Sequence, residues 1–349
     1  MDSTDNSLAA GSPAASRPVL ELLKRAAGYL LAAICLLWIF HDLDWGRLLV
    51  HIRDVNWWWV TLAVAVDILS YLCQGWRWRL LLHPTAKMSV LKATQAIYVG
   101  LFTNEVAPMR LGEVVRAYLA SRWLGARFVS IIPSLAVERF FDGIWLAAGI
   151  GVAALFVPLP RSLLEAGDIL GVAMLLATGV IICLVLRQPQ GARETKPGGC
   201  AGWKPLRWLY SILAHVSGGI REIGTSRSFY LAFGVSLAFL LTQALALWLV
   251  MWAYGLRLPF WAGLVVLLVI HLGTAIPNAP ANLGTYQFFC IVGLTLFGID
   301  KTHATGFAFV VFVVLTVPLW AIGFWALTRS GMTLTVIRTE IAKLKLTEA

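Results

Sequence analysis

The sequence predicts an all-α polytopic membrane protein with about six full spans and two re-entrant helical hairpins arranged as inverted repeats. Three observations carry this expectation. Of 349 residues, 59% are hydrophobic and 13% charged, against roughly 25% charged in a soluble domain. The mean hydropathy is +0.78. Apolar runs recur from Ala26 to Leu327, which is the signature of membrane-spanning helices. A short pattern, A-P-x-x-L-G, also occurs twice, at Ala107–Gly112 and Ala279–Gly284, about half the chain apart. Pro and Gly breaking apolar segments at matching places in two halves point to the discontinuous helices of a transporter's binding site, and the match suggests an internal duplication.

Taken in order, residues 1–20 are small and polar. No basic stretch leads into an apolar core, so they are not a signal peptide and read as a disordered cytosolic tail. Spans are expected near 26–40, 57–74, 129–157, 168–187, 228–254 and 302–328. The first is short against the roughly 20 residues a crossing needs. Regions 89–124 and 259–299 are expected to enter the membrane, turn and return to the same face. The helix breaks are Pro108 and Gly112 in the first, and Pro277, Pro280 and Gly284 in the second. Irregular backbone at that depth is tolerated only inside protein or along a wet cavity. Residues 188–227 read as a Pro/Gly-rich cytosolic linker followed by a helix. Trp203, Leu206, Tyr210, Leu213, Val216 and Ile220 recur there at helical spacing, which fits either an interfacial amphipathic helix or a helix packed on the bundle. Residues 331–349 form a basic tail. The whole is one membrane domain over 21–330, with repeat halves at approximately 57–157 and 228–328.

Lys and Arg set the orientation. With a cytosolic N-terminus and both hairpins re-entrant, twenty fall in cytosolic segments, Arg77 and Arg79 among them. Five fall outside: Arg47, Arg53, Arg161, Arg257 and Lys301. The positive-inside bias supports that topology and puts both termini in the cytosol. Three spans separate the hairpins, so they enter from opposite faces. The net charge of +10 records this topology and contact with anionic lipid, not a nucleic-acid partner.

Asp67, Glu105, Arg110, Glu113, Arg116, Glu138, Arg139 and Asp142 fall inside expected membrane segments. Each costs roughly 2.5–3.5 kcal/mol at the bilayer centre unless paired or wetted. Glu113 and Arg116, Arg139 and Asp142, and Glu138 and Asp142 are spaced to share helical faces. The first hairpin therefore offers Asn104, Glu105, Arg110, Glu113 and Arg116, and the Glu138 helix is its natural partner. Arg110, beside the break, would present its planar fork to a phosphate, with backbone N–H groups nearby. The second hairpin is polar but uncharged, with Asn278, Asn282, Thr285, Tyr286 and Gln287. Two readings stay open for the charges: a polar pathway, or a buried ion-pair network that fixes helix packing. Arg139–Asp142 is the pair expected to be structural.

Other chemistry finds little support. The five Cys lie in no paired spacing, and His271 alone among six His sits in an apolar run. No metal site and no cofactor are expected, and no hydrolase, zinc-protease or nucleotide-binding motif appears. An enzyme with no catalytic motif is not the leading expectation, although Glu105, Glu113 or Glu138 could serve a membrane-embedded transferase as a base.

Together, Trp76-Arg77-Trp78-Arg79-Leu80-Leu81, Asn104 through Glu113, Arg116, Glu138-Arg139-Phe140-Phe141-Asp142 and Ile276-Pro277 through Gly284 resemble the flippase-like transmembrane unit of the lysylphosphatidylglycerol synthetases, also known as the uncharacterised inner-membrane family 0104. The resemblance implies a bacterial inner-membrane lipid translocase moving an anionic or phosphate-bearing lipid between leaflets. The alternatives are a membrane-embedded lipid-modifying enzyme or a non-transporting partner of one, and a lipid-synthesising enzyme is a possible partner. Where family members often carry an acidic residue after the second motif, this chain has Gln287.

Overall fold

In a computed structural model the described residues are 30–41, 54–84, 86–106, 111–157, 226–275 and 280–331, with Gly46 and scattered positions between 161 and 224. The tail at 1–20, most of the span at 168–187, most of the 188–227 linker and helix, and the tail beyond Gly331 lie outside them. The described residues are helical, with no strand among them.

The first element is a short apolar helix, α1 (Leu30–Phe40). Four helices follow: α2 (Trp57–Leu82), α3 (Val90–Val106), α4 (Gly112–Leu124) and α5 (Phe128–Ala154). The same order of long, short, short and long then recurs as α6 (Arg227–Ala253), α7 (Phe260–Thr274), α8 (Thr285–Thr295) and α9 (Lys301–Arg329). Matching helices begin 170 to 173 positions apart: Trp57 with Arg227, Val90 with Phe260, Gly112 with Thr285, Phe128 with Lys301. That spacing agrees with the spacing of the two A-P-x-x-L-G segments, which fall between the short helices of each half.

Local chemistry fixes these boundaries. Asn56, Ser226 and Asp300 cap α2, α6 and α9 with their side chains, each satisfying a backbone N–H left open at a helix start. Gly125 (φ 61°) and Gly298 (φ 75°) take left-handed backbone just past α4 and α8, so both short-helix pairs stop by the same device.

The halves are antiparallel. The Asn56 N–H donates to the Ala253 carbonyl at 2.9 Å, joining the start of α2 to the end of α6. At the other end Arg77 donates to Ser236 Oγ at 3.4 Å. This α2–α6 contact is the most extensive in the bundle. The remaining contacts exchange between halves: α3 packs on α9, and α7 packs on α5. Trp78 Nε1 donates to Ser134 Oγ at 3.1 Å, so α2 ends where α5 begins, and the α3–α4 pair leaves and returns at that end. The Tyr254 and His303 rings lie 5.3 Å apart, so the α7–α8 pair leaves and returns at the opposite end.

Helices α2, α6 and α9 are long and apolar enough to cross a membrane. At 27 residues α5 is about 40 Å long, but it carries Glu138, Arg139 and Asp142. Trp57, Trp58, Leu69, Tyr230, Leu231, Val313 and Phe324 are exposed, the surface expected where lipid replaces water. Lys301, Arg257 and Arg329 sit over the rings of Trp38, Trp252 and Trp325, the cation–indole pairing of interfacial belts. The chain is a multi-pass helical membrane protein.

One expectation changes. The span expected over 57–74 continues to Leu82, because nothing breaks the helix before His83-Pro84. Arg77, counted in the sequence as a cytosolic loop charge, is therefore inside α2 and fully buried. Shifting one charge leaves the bias in loop charge standing.

Candidate functional site

The charged residues of the first half converge. Glu138 of α5 is fully buried. Its Oε1 accepts from Arg77 Nη2 at 2.8 Å, from Arg116 Nη1 at 3.1 Å and from Gln74 Nε2 at 3.3 Å, and its Oε2 accepts from Arg116 Nη2 at 3.1 Å. Two guanidinium groups thus share one carboxylate, from α2 and α4, with Arg116 bidentate. Arg77 also donates to Asp142 Oδ1 at 2.5 Å. Ring faces pack on both guanidiniums, Arg77 over Phe239 and Arg116 over Trp78, while the Nε of each is buried without a partner.

A wetter rim adjoins this dry core. Arg139 bridges Glu113 (2.8 Å) and Asp142 (3.1 Å). The side chains of Arg139, Glu113 and Asp142 are 50%, 38% and 29% exposed. Three guanidiniums and three carboxylates form one neutral cluster that runs from the helix interior to an accessible edge. The Arg139–Asp142 pair forms, but not in a dry interface: Asp142 has a second partner in Arg77, and Arg139 is the most accessible cation of the cluster.

The first hairpin is drawn tight at its break. Asn104 Oδ1 accepts from the Gly112 N–H at 2.7 Å, capping α4 from α3. A Cβ at Gly100 would come within 2.7 Å of the Gly112 carbonyl oxygen, and one at Gly112 would overlap the Gly100 carbonyl. Only glycine at both sites permits this approach. Glu105 turns away from the cluster and accepts from Trp320 Nε1 of α9 at 3.2 Å. Arg110 and Pro108 lie outside the described residues.

The second hairpin uses other chemistry. Ala281 and Asn282 have positive φ (59° and 51°) in the turn that carries Pro280, and the Thr285 hydroxyl donates to the Asn282 carbonyl at 2.9 Å. Gln287 is fully buried, and its Oε1 accepts from the Gly284 N–H at 2.7 Å, so this side chain closes the α8 N-terminus. The Tyr286 ring stacks edge-on against Phe312. Pro277 and Asn278 lie outside the described residues. Counting from helix starts, Arg116 corresponds to Phe289, which packs against Gly273. Counting from helix starts, Arg77 and Glu138 correspond to Leu247 and Val311, both fully buried. The second half fills with apolar side chains what the first fills with ions.

Sequence reading thus brought Glu113, Arg116, Glu138, Arg139 and Asp142 to one place, and missed Arg77. The signal was present: an unbroken helical run up to Pro84 puts Arg77 one turn beyond Cys73, inside the bundle. Among the described residues no group of three or more His, Cys, Asp and Glu is arranged to hold a metal.

The family model of the lysylphosphatidylglycerol synthase transmembrane region matches residues 25–323. The chain belongs to this family. A UPF0104 membrane protein of Methanothermobacter thermautotrophicus is 26% identical over 331 residues, covering 89% of this chain and 93% of the relative. The glycosyltransferase AglD of Haloferax volcanii is 31% identical over 157 residues, 44% of this chain and 24% of that protein. No solved structure matches. The family match spans both halves, and therefore both hairpins and the ion cluster.

Proposed function

We propose that this protein moves a phosphate-bearing, anionic lipid between the leaflets of a bacterial inner membrane, with no covalent step of its own and both termini in the cytosol. The observation that supports this most is the pair of helix–break–helix units that return to opposite ends of one antiparallel bundle. Read in a membrane, they are re-entrant hairpins of inverted repeats, an arrangement that places substrate near the midplane.

The division of labour follows from burial. Arg116 and Glu138 satisfy each other and hold the first hairpin against α2 and α5, while Asn104 and Gln287 are spent on caps. We assign the head group to Arg110 and to the accessible rim of Arg139 and Glu113, with Asn282, Tyr286 and Glu105, itself held by Trp320 Nε1, around the breaks. A guanidinium fork suits a lipid phosphate. The lysylphosphatidylglycerol in the family's name carries a phosphate, in keeping with a phosphate site, although its two lysyl ammonium groups make it cationic overall. The match to part of a glycosyltransferase favours one second reading, in which this membrane unit serves a lipid-modifying enzyme as a partner.

The test is movement of a labelled anionic phospholipid in proteoliposomes. Arg110→Gln is expected to abolish it, and Arg110→Lys to leave partial activity. Wild-type rates in Arg110→Gln would refute the phosphate site, and no lipid movement by the wild type would favour the partner reading. Single cysteines at Ala86 and Ala126 should label from one face, and those at Leu258 and Gly298 from the other. Opposite labelling of Ala86 and Ala126 would remove the first re-entrant hairpin.

A further inference from the structure

Asp67 lies ten residues into the 26-residue α2, about 15 Å from its start, and is buried. Among the described residues no Lys, Arg or His pairs with it. Beyond the backbone bonds of α2 itself, Ser70 Oγ donates to the Asp67 backbone carbonyl at 2.7 Å, not to its carboxylate.

Buried side-chain oxygens without a partner lie nearby on α2 and α3: Gln74 Oε1, Thr94 Oγ1 and Tyr98 Oη. Thr94 faces Gly75, since a Cβ there would overlap its hydroxyl. One turn on, the Tyr71 and Tyr98 rings are 5.1 Å apart, and Asp67 is one turn further along α2. Asp67 and Tyr71, four residues apart, share one face of α2, and Tyr98 reaches that face from α3 through its ring contact with Tyr71.

No counter-charge is brought by the neighbouring helices. Helix α6 carries no charged side chain after Arg227, and α9 none between His303 and Arg329. On α3, Lys92 is exposed and Glu105 is held by Trp320. The charges of α5 are engaged with Arg77, Arg116 and Glu113. At the corresponding positions of the second half, counted from helix starts, Asp67, Tyr71 and Tyr98 become Leu237, Leu241 and Leu268.

We propose that Asp67, with the Tyr71 and Tyr98 hydroxyls, binds one monovalent cation, a proton or a sodium ion, and that its loading and release couple lipid movement to a cation gradient. A bare carboxylate in an apolar interior persists only if its charge is neutralised. Among the described residues no Lys, Arg or His does so, and the surrounding groups offer oxygen to a hard cation. Ionisable groups inside membrane helices mark ion pathways. In the proton case the carboxylate accepts H⁺ from one aqueous face as a neutral acid and returns it to the other. Coupling rests on the translocase reading, whereas cation binding does not.

Both are tested on the full-length protein. In nanodiscs, radioactive sodium retention and infrared difference spectra across a pH titration report which cation binds. The wild type is expected to retain sodium, or to show a carboxylic-acid band that titrates. Asp67→Asn should lose that signal and Asp67→Glu regain it. Tyr98→Phe, which keeps the ring against Tyr71, should weaken it and serves if Asp67→Asn does not fold. In vesicles, a tenfold cation gradient should change the outward-to-inward ratio by about tenfold for one cation per lipid, and Asp67→Asn should abolish that response. Neither signal in the wild type, or an unchanged signal in Asp67→Asn and Tyr98→Phe, overturns the site. Lipid movement indifferent to both gradients overturns the coupling. Cation binding at Asp67 with no lipid movement under any condition upholds the site and sinks the translocase reading instead.

Discussion

Replacing Glu138 by Gln should destabilise this protein far more than removing the entire charge triad around it. Glu138 is fully buried and compensates two guanidiniums, Arg77 at 2.8 Å and Arg116 at 3.1 Å through both oxygens. The amide keeps the shape but loses the charge, and its NH₂ would face a guanidinium, donor against donor. Arg77 keeps Asp142, but Arg116 keeps no acidic partner among the described residues. Breaking one partner of a buried ion pair costs about 3–5 kcal/mol, because a buried charge is left uncompensated. The second half shows the other solution: Leu247, Phe289 and Val311 at the places of Arg77, Arg116 and Glu138. The triple variant Arg77→Leu, Arg116→Phe, Glu138→Val removes all three charges together, and such exchanges are neutral or stabilise by about 1–4 kcal/mol. Asp142 stays paired with Arg139 at the wet edge. Unfolding in SDS-titrated mixed micelles, followed by far-UV circular dichroism, should rank the triple variant at or above the wild type and Glu138→Gln far below both. A Glu138→Gln protein as stable as the wild type, or a triple variant no better than the single, would refute the view that charge compensation is what this cluster supplies.

Two further outcomes follow from local geometry. Gly112→Ala should cost about 1–3 kcal/mol as an overpacked contact, since its Cβ would overlap the Gly100 carbonyl, whereas Gly125→Ala meets no neighbour and should cost about 1 kcal/mol through its left-handed backbone alone. Equal effects in the same unfolding assay would mean that the α3–α4 approach is not tight. Arg139→Gln, at the half-exposed rim, should cost no more than about 1 kcal/mol of stability yet slow lipid movement in vesicles. A large loss of stability with unchanged transport would make Arg139 the structural residue that its spacing alone suggests.

The helices were legible because membrane spans write themselves in hydropathy. Five of the six expected spans have a described helix: α2, α5, α6 and α9 lie within a residue or two of their expected starts, and α1 covers part of the first. The antiparallel halves were legible through two faint signals that share no residues, the repeated A-P-x-x-L-G and the count of loop charges. The pairing of the cluster was only half legible. Spacing within a helix predicts neighbours three or four apart, so it finds Arg139–Asp142. It cannot show that Glu138 takes both its guanidiniums from other helices, 61 and 22 residues away in sequence. Arg77 was lost for a related reason. A charge near the end of an apolar run looks like the start of a loop until the helix stop at Pro84 is given more weight than hydropathy.

The difference between the halves carries the functional weight of the fold. If duplication built this bundle, the second half shows which positions the architecture can fill with hydrocarbon: Leu247, Phe289 and Val311 opposite the ion triad, and Leu237, Leu241 and Leu268 opposite the Asp67 seam. At the triad the same backbone packs either way, so charge there is not a requirement of the fold. Placing the polar set of the first half in a membrane interior carries a cost per residue, offset where the residues pair with one another. The triad is so offset, and Asp67 is not. A fold that carries leucine there in one half and, in the other, a buried carboxylate with no cationic partner among the described residues retains that carboxylate for something that comes and goes.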